Sequence, residues 1–315
     1  MAMTLAEIRA KLQAQDNRKS GNQSGGGDGA IYPHWNIPEG TSARFRFLPD
    51  GNANNTYFWV ERNMIKLPFA GIKGQPETKP TIVQVPCIEM WGEACPILAE
   101  VRPWFKDKSL EEQGRKYWKK RSYLFQGFVR DNPLSDDKTP ENPIRRFVIS
   151  PQIFNLVKTA LLDPEMENLP TDYQAGLDFN IKKTSKGGYA DYSTSSWARK
   201  ETSLTALEAE AIEKYGLVDL ATFLPKKPTD TDLKVIKEMF EASVDGQPYD
   251  PDKWGAYYKP SGFQTDKADA PAAAPADDAD DVPVVATPVA TDAPPASKRA
   301  EDILAQIRQR QNPTK

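Results

Sequence analysis

Short runs of alternating apolar and polar residues dominate the chain between residues 31 and 197. A period of two is typical of a β-strand that buries one face. In RFRFLPD, Arg44 and Arg46 alternate with Phe45 and Phe47, so we predict a strand with rings on one face and cations on the other. The other predicted strands are TIVQVPC, SYLFQGFV, IRRFVIS and LDFNIKK, and the turn TSKGGY leads into ADYSTS.

Three further segments carry helical spacing or the residues that begin and end helices. SPQIFNLVKTALL is predicted to have Ser150 as its N-cap and Pro151 in the first helical position. SLTALEAEAIEKYG is predicted to end at Gly216, and PTDTDLKVIKEMFEAS to be capped by Thr229 or Thr231. Many short strands separated by turns predict an α+β protein built on a small β-barrel with helical additions.

The N-terminal segment is predicted to be a basic amphipathic helix on a flexible Gly/Ser linker. Thr4 and Glu7 have the spacing of a capping box. An apolar stripe this short cannot stabilise a helix in water without a partner surface, so we expect this arm to bind another protein molecule. A frayed terminus is the alternative. The stripe consists of Leu5, Ile8 and Leu12, and the cations beside it are Arg9, Lys11, Arg18 and Lys19.

The C-terminal part combines an acidic segment with a second amphipathic helix. Residues 266–296 contain seven Asp and one Lys, so this segment carries −6. The whole chain carries −3, which leaves +3 for the rest and indicates a mildly basic body with an acidic tail, as in many nucleic-acid-binding proteins. The segment has little to bury and is predicted to be disordered. The helix after it carries Ile303, Leu304, Ile307, Arg308 and Arg310.

The two terminal helices are similar, because LAEIRAK near the start has five positions like those of LAQIRQR near the end. Chance similarity is one explanation. The other is that both helices fit the same kind of partner surface, so that the tail competes with a neighbour's arm or docks another protein.

These elements divide the chain into four predicted parts. The parts are an arm at 1–29, a core at 30–263 with the barrel reaching to about 200 and a helical extension from 201, a disordered Ala/Pro/Asp-rich acidic linker at 264–296, and a helix at 297–315. The aromatic segment GQPYDPDKWGAYYKPSGF is predicted to pack back on the core.

The stretch RKYWKKRSYLFQGFVR, residues 115–130, combines six cations with five rings and contains no acid. Cations neutralise phosphates, and aromatic rings offer stacking platforms for bases. Because a duplex hides its base faces, the combination favours single strands. An exposed charged strand over buried rings is the alternative. The candidate contacts are Arg115, Lys116, Tyr117, Trp118, Lys119, Lys120, Arg121, Tyr123, Phe125 and Arg130.

Three other segments repeat this combination of charge and rings, and we predict that they line the same channel. Their candidate residues are Arg44, Arg46, Arg145, Arg146, Lys182, Lys183, Lys186, Tyr189 and Tyr192.

The sequence offers little for catalysis or metal binding. Cys87 and Cys95 are two of the four ligands that structural zinc normally needs, and His34 is the only histidine. We therefore expect no metal or other cofactor. No phosphate-cradling loop or dinucleotide fingerprint is present, which argues against an enzyme. No signal-like or membrane-length apolar run is present, so we expect a soluble protein without membrane partners.

The order and spacing of these motifs resemble the single-stranded DNA-binding replication protein of T-even-type bacteriophages over most of residues 40–200. RFRFLPD is similar to that family's first-strand motif, and VPC with ACPIL falls where the family places its zinc-loop cysteines. KYWKKRSYLFQGFV resembles its basic, aromatic DNA-binding strand, and LDFNIKKTSKGGYADYSTS resembles its later hairpin.

The resemblance implies an OB-type barrel that coats single-stranded DNA cooperatively in replication, recombination and repair, in the cytoplasm of the infected bacterial host. It implies that the arm docks on neighbouring copies and that the tail recruits phage replication and recombination proteins. Two departures stand out. Leu98 occupies the last cysteine position and the histidine position near Asn63 and Met64 is empty, so we expect apolar packing by Met90, Trp91, Ile97 and Leu98 in place of zinc. The tail ends in a basic helix.

Two other functions remain open at this point. One is a structural or scaffolding phage protein that self-assembles through its terminal helices. The other is a nucleic-acid enzyme with an OB module, against which the absence of acidic metal-site motifs argues.

Removal of residues 1–20 is expected to leave binding to a very short oligonucleotide intact and to weaken coverage of long strands. A bound neighbour supplies the arm's partner surface at high effective concentration only on long DNA. Titrations of the truncated and full chains with short and long oligothymidylate measure this difference. Equal losses on both lengths would mean that the arm contacts DNA and not protein.

Overall fold

The structure is a computed structural model that describes residues 29–75, 79–135, 137 and 139–260. The predictions for the arm up to residue 28, for the acidic linker and for the C-terminal helix lie outside these residues.

The described residues contain nine β-strands, most of them in one sheet. They are β1 (Ser42–Phe47), β2 (Val60–Phe69), β3 (Thr81–Pro86), β4 (Lys120–Asp131), β5 (Arg145–Ile149), β6 (Phe179–Lys182), β7 (Thr184–Lys186), β8 (Tyr189–Asp191) and β9 (Ser196–Trp197). The large sheet has the order β3-β2-β4-β1-β6-β9, with β5 also paired to β4, and β7 and β8 form a separate hairpin. Every pairing between these strands is antiparallel.

β4 is the longest strand, and it joins the two halves of the sheet. Its first residues pair with β2, its last residues pair with β1, and residues 123–127 pair with β5. Gly127 lies where β1 crosses close to β4, and a Cβ atom there would collide with the carbonyl oxygen of Arg46. Glycine is therefore required at this position for both halves of the sheet to share one strand.

The sheet is open, because β3 and β9 lie at the two ends of the strand order and do not pair with each other. The predicted closed barrel is therefore wrong for the described residues, whereas the α+β class is confirmed. The runs of alternating residues gave the positions of the strands. Closure depends on pairing between distant sheet edges, and a period of two in the sequence does not encode that pairing.

Six α-helices accompany the strands in the described residues. They are α1 (Pro96–Val101), α2 (Glu111–Tyr117), α3 (Pro151–Leu161), α4 (Ala206–Tyr215), α5 (Asp230–Val244) and α6 (Pro251–Trp254). Short 3₁₀ turns lie at His34–Asn36, Ile88–Trp91, Arg102–Lys106 and Leu220–Phe223.

The helix termini follow the sequence signals closely. Pro151 begins α3 as predicted, although the Ser150 hydroxyl makes no capping hydrogen bond. α4 ends at Tyr215, and Gly216 follows as its C-cap with a φ of 72°, which favours glycine. α5 is capped by Thr229, whose side chain accepts from the backbone N–H of Asp232 while the Asp232 carboxylate accepts from the N–H of Thr229.

Two apolar cores lie on the sheet. The first packs β2 and β3 against α1, α2, α5 and the segment around α6. In this core Phe69 lies 5.6 Å from both Tyr249 and Trp254, which confirms that the aromatic segment after α5 packs back on the body. The second packs β1, β4, β5 and β6 against α3, with Phe45, Phe47 and several other rings at its centre. A smaller cluster, which includes Phe128, lies under α4.

His34 is fully buried at the edge of the second core, where its ring packs edge-on against Trp35 and Tyr192. Neither ring nitrogen makes a hydrogen bond of normal geometry with a described residue. Burial lowers the pKa of His34 to about 4, although the Tyr32 carbonyl acts in the opposite direction. The folded chain therefore holds this imidazole neutral at pH values where the unfolded chain protonates it.

The wild-type protein is expected to lose stability as the pH falls from about 6.5 towards 4, by about 2–3 kcal/mol through His34. This stabilisation is complete above the pKa of His34 in the unfolded chain, because the imidazole is then neutral in both the folded and the unfolded state. Urea unfolding of wild type and of His34→Phe at pH 7.5 and 4.5 measures this contribution. The difference in unfolding free energy between wild type and His34→Phe should change between these pH values. The same pH dependence in both proteins would contradict the assignment to His34.

Candidate nucleic-acid interface

The rings of the basic, aromatic stretch turn into the cores. Tyr117 lies edge-on to Phe240 at 5.2 Å in the first core, and Phe125 lies 4.8 Å from Phe47 in the second. Tyr123 stacks on Phe154 at 3.5 Å with the two rings 10° apart. All three predicted platforms are buried, so the prediction that they stack on bases is wrong in this conformation. These rings instead fill the two apolar cores, one at each end of β4.

Trp118 keeps partial exposure at the start of this stretch. Its ring lies 5.1 Å from Phe105 in an edge-on contact, and Phe105 is itself partly exposed. Among the predicted ring contacts of residues 115–130, Trp118 therefore retains surface that a base could reach.

Four cations surround a small pocket where β2 and β4 begin to pair. The basic pocket is lined by Arg62, Met64, Lys66, Gln84, Lys120, Arg121 and Ser122. None of these described lining residues carries a carboxylate. The cross-strand pairs Arg62 with Ser122, Met64 with Lys120 and Lys66 with Gln84 place these side chains on one face of the sheet. The arrangement concentrates positive charge at one open position of the sheet.

Arg62 is the buried floor of the basic pocket, and its Nε donates to the Ser122 hydroxyl at 3.2 Å. Lys66 and Lys120 are half-buried beside it. Arg62 and Lys66 were not among the predicted contacts. The signal that could have found them is the alternation in RNMIKLPF, because Ile65, Leu67 and Phe69 on the buried face imply that the cations between them lie opposite.

Arg121 forms the rim of the basic pocket and connects it to the other face of the sheet. Its Nε lies 3.2 Å from a carboxylate oxygen of Glu61, and its side chain remains 45% exposed. A hydrogen bond with Tyr123, together with Glu61, raises the pKa of this guanidinium, which therefore stays charged at all relevant pH values.

The remaining cations of this stretch have local partners or face solvent. Lys119 contacts Glu89 at 2.6 Å, and Arg115 contacts Glu111 at 2.6 Å on the exposed surface of α2. Lys116 is exposed on the same helix. The exposed Arg115 pair is worth little, whereas the Lys119 and Glu89 side chains are each only 20% exposed and hold each other in place.

Three predicted contacts instead hold the fold together. Arg46 is fully buried and donates to Asp178 at 2.8 Å and to the backbone carbonyl of Thr202. Arg130 binds the same Asp178 at 2.9 Å and Glu208 at 2.6 Å. Arg145 is also buried and pairs with Asp137. The prediction that they contact DNA is therefore wrong for Arg46 and Arg145, which have almost no exposed surface, and Arg130 is committed to two carboxylates.

Arg44 is exposed on β1 beside a groove of about 630 Å³. The groove lining mixes Arg130 and Arg145 with Asp137, Asp178 and Glu208. Because these arginines already pair with these acids, the groove is a weaker place for a polyanion than the basic pocket.

The end of β6 and the β7–β8 hairpin that follows it expose three predicted contacts to solvent. Gly187 and Gly188 form its two-residue turn with φ of 64° and 83°, the conformation that favours glycine in a tight hairpin. Lys182, Lys186 and Tyr189 are exposed, and Lys186 lies opposite Tyr189.

Three other predicted contacts have partners within the fold. Lys183 donates to the carbonyl of Trp35 at 2.6 Å, and Tyr192 is buried, so Tyr192 offers no stacking surface. Arg146 lies on the same sheet face as the basic pocket, 3.7 Å from the ring of Phe223.

The comparisons with protein-family models and with curated proteins give no information about this site. Neither the protein-family models nor the curated proteins contain a match to this chain. In the part of the chain that the structure describes, the helices are all too short or too polar to span a bilayer.

Cys87 and Cys95 are both buried free thiols beside the first core. A hydrogen bond between them raises the pKa of Cys87 and lowers that of Cys95. Ile97 and Leu98 are buried in the same core and Trp91 packs against it, which confirms the expected apolar packing for these three residues. The Met90 sulfur instead accepts from the Asn63 N–H. The described residues contain no group of three or more metal-ligating side chains.

Metal analysis of the purified protein is expected to find well under one zinc per chain. Two thiols leave half of a tetrahedral coordination shell unfilled, so they bind zinc weakly. A chelator should accordingly leave the melting temperature unchanged. Stoichiometric zinc, or a chelator-induced fall in melting temperature, would contradict this prediction.

Proposed function

We propose that the protein binds single-stranded DNA without sequence preference and that the phosphates of the strand bind at the basic pocket. The observation that carries the proposal is the pocket lining, in which four cations meet and the described lining residues include no acid. A site of this charge favours a phosphodiester over any neutral or cationic ligand.

The form of the pocket supports a single strand as its ligand. It lies in a sheet face between partly exposed side chains. Its described lining comes from β2, β3 and β4, so the described lining includes no helix that could enter a duplex groove. Lys and Arg side chains contact phosphates regardless of the base, so binding is expected to ignore sequence. Lys186 on the β7–β8 hairpin and Lys116 on α2 are further exposed cations.

The wider biological role is also part of the proposal and is supported by the sequence motifs. The similarity to the T-even-type phage protein favours cooperative coating of DNA in replication, recombination and repair in the host cytoplasm. It also favours an OB-type ancestry of the sheet, neighbouring copies as partners of the arm, and replication or recombination proteins as partners of the tail. The proposed protein is a non-enzymatic binder that needs no cofactor.

Replacement of Lys66 and Lys120 by Ala is expected to reduce the slope of log K against log salt by roughly 1.4, at about 0.7 per lost phosphate contact on single strands. Fluorescence anisotropy of a labelled oligothymidylate at several salt concentrations measures this slope. The double variant Lys108→Ala/Lys234→Ala is the matched control, since it removes two exposed lysines outside the basic pocket.

The control should keep the wild-type slope. An equal reduction in both double variants would show a general charge effect, and an unchanged slope in the Lys66/Lys120 variant would remove phosphate binding from this pocket.

A further inference from the structure

Tyr57 is the most exposed aromatic side chain in the described part of the chain, at 59%. It lies in the loop between β1 and β2, and its ring contacts Trp59 at 4.8 Å with the two rings 35° apart. Trp59 is half-buried and fixed against the second core by Phe154 and Phe125, at 5.3 Å and 5.9 Å. The pair forms an aromatic ledge, which we define as Tyr57 and Trp59, with one ring anchored and the other open to solvent.

The loop that carries Tyr57 is held by a network of polar side chains. The Asn55 amide donates to Asp50 at 2.7 Å and to the carbonyl of Trp59 at 3.1 Å, and its oxygen accepts from the Tyr57 N–H at 3.0 Å. Asp50 in turn accepts from the N–H of Leu220. An exposed ring on a fixed loop has little conformational entropy to lose when a ligand stacks on it.

The ledge lies next to strands β2 and β4, which carry most of the basic pocket. Trp59 packs on Phe154, Phe154 stacks on Tyr123, and Tyr123 lies two residues after Arg121 of the pocket rim on β4. Trp59 also directly precedes β2, whose third residue is Arg62 of the basic pocket. At about 3.3 Å per residue along the strand, roughly 10 Å of backbone separates Trp59 from Arg62, a distance that a bound strand can span.

We propose that the aromatic ledge is a stacking platform for a nucleobase of the strand whose phosphates bind at the basic pocket. The inference rests on the proposed function and adds the place where a base binds. It supplies the ring surface that Tyr117, Tyr123 and Phe125 cannot offer because they are buried. Stacking on a π-face is tolerant of base identity, which fits binding without sequence preference.

The surroundings of the ledge favour a base over an apolar protein partner. The loop before Tyr57, DGNANNT at residues 50–56, consists of small and polar residues, so a single ring is exposed and not a broad apolar patch. A flat, isolated ring of this kind matches one stacked base. A hydrophobic protein contact would need a larger continuous apolar surface.

The test uses the full-length chain with Tyr57→Ala, Tyr57→Phe and the control Tyr257→Ala, which removes another exposed tyrosine at 41% exposure. Two labelled probes of equal length are compared, a short oligothymidylate and an oligonucleotide whose sugars carry no bases. Tyr57→Ala is expected to weaken oligothymidylate binding roughly 5- to 150-fold, the value of one stacked base. Tyr57→Phe and Tyr257→Ala should bind like wild type, and the base-free probe should not distinguish the four proteins.

The outcomes separate this inference from the function on which it rests. If wild type binds oligothymidylate and Tyr57→Ala binds it equally well, the ledge is not a platform although the protein still binds DNA. If Tyr57→Ala weakens both probes alike, Tyr57 acts on the fold or on phosphates, and the inference is overturned. If wild type binds neither probe, the proposed function fails and the ledge with it.

Discussion

β4 must pair with β2, β1 and β5 while both of its faces pack against apolar layers, and the rest of the structure depends on this constraint. A strand that is buried on both faces in its middle has no exposed position there for a ring or a cation. The aromatic residues of β4 therefore supply core packing. Its cations remain available only at the start of the strand, before β5 joins the sheet at residue 123. The candidate interface lies at this start because it is the part of β4 with an open edge.

The same constraint divides the arginines into two kinds. At the far end of the sheet, Arg46 and Arg130 share Asp178, and Glu208 provides a second partner for Arg130. Removal of one member of a buried ion pair leaves an uncompensated charge, which typically costs about 3–5 kcal/mol. These arginines thus fix the loop near residue 178 and the start of α4 onto β1 and β4. Around the basic pocket, in contrast, four cations meet and the described lining residues include no acid, so positive charge is in excess among them.

Much of the local structure could be predicted from the sequence, because strands, caps and turns depend on nearby residues. The Gly-Gly hairpin, the Pro151 start of α3 and the Thr229 cap of α5 are examples. The site was less predictable. Both parities of SYLFQGFV are apolar, so the sequence could not show that Tyr123 and Phe125 are buried. Arg46 was placed correctly opposite its neighbouring phenylalanines, but the residues that cover it lie more than a hundred positions later in the chain. Tyr57 lies in a loop and belongs to no periodic pattern.

The most direct test of the account is photochemical cross-linking of the full-length protein to an oligothymidylate, with the linked peptides identified by mass spectrometry. Because the strand is expected to run from the basic pocket past Arg121 to the aromatic ledge, linked residues should concentrate in two segments, 57–66 and 116–123. Cross-links confined to the groove beside Arg44, or distributed evenly over the described surface, would contradict the claim that the start of β4 binds the strand.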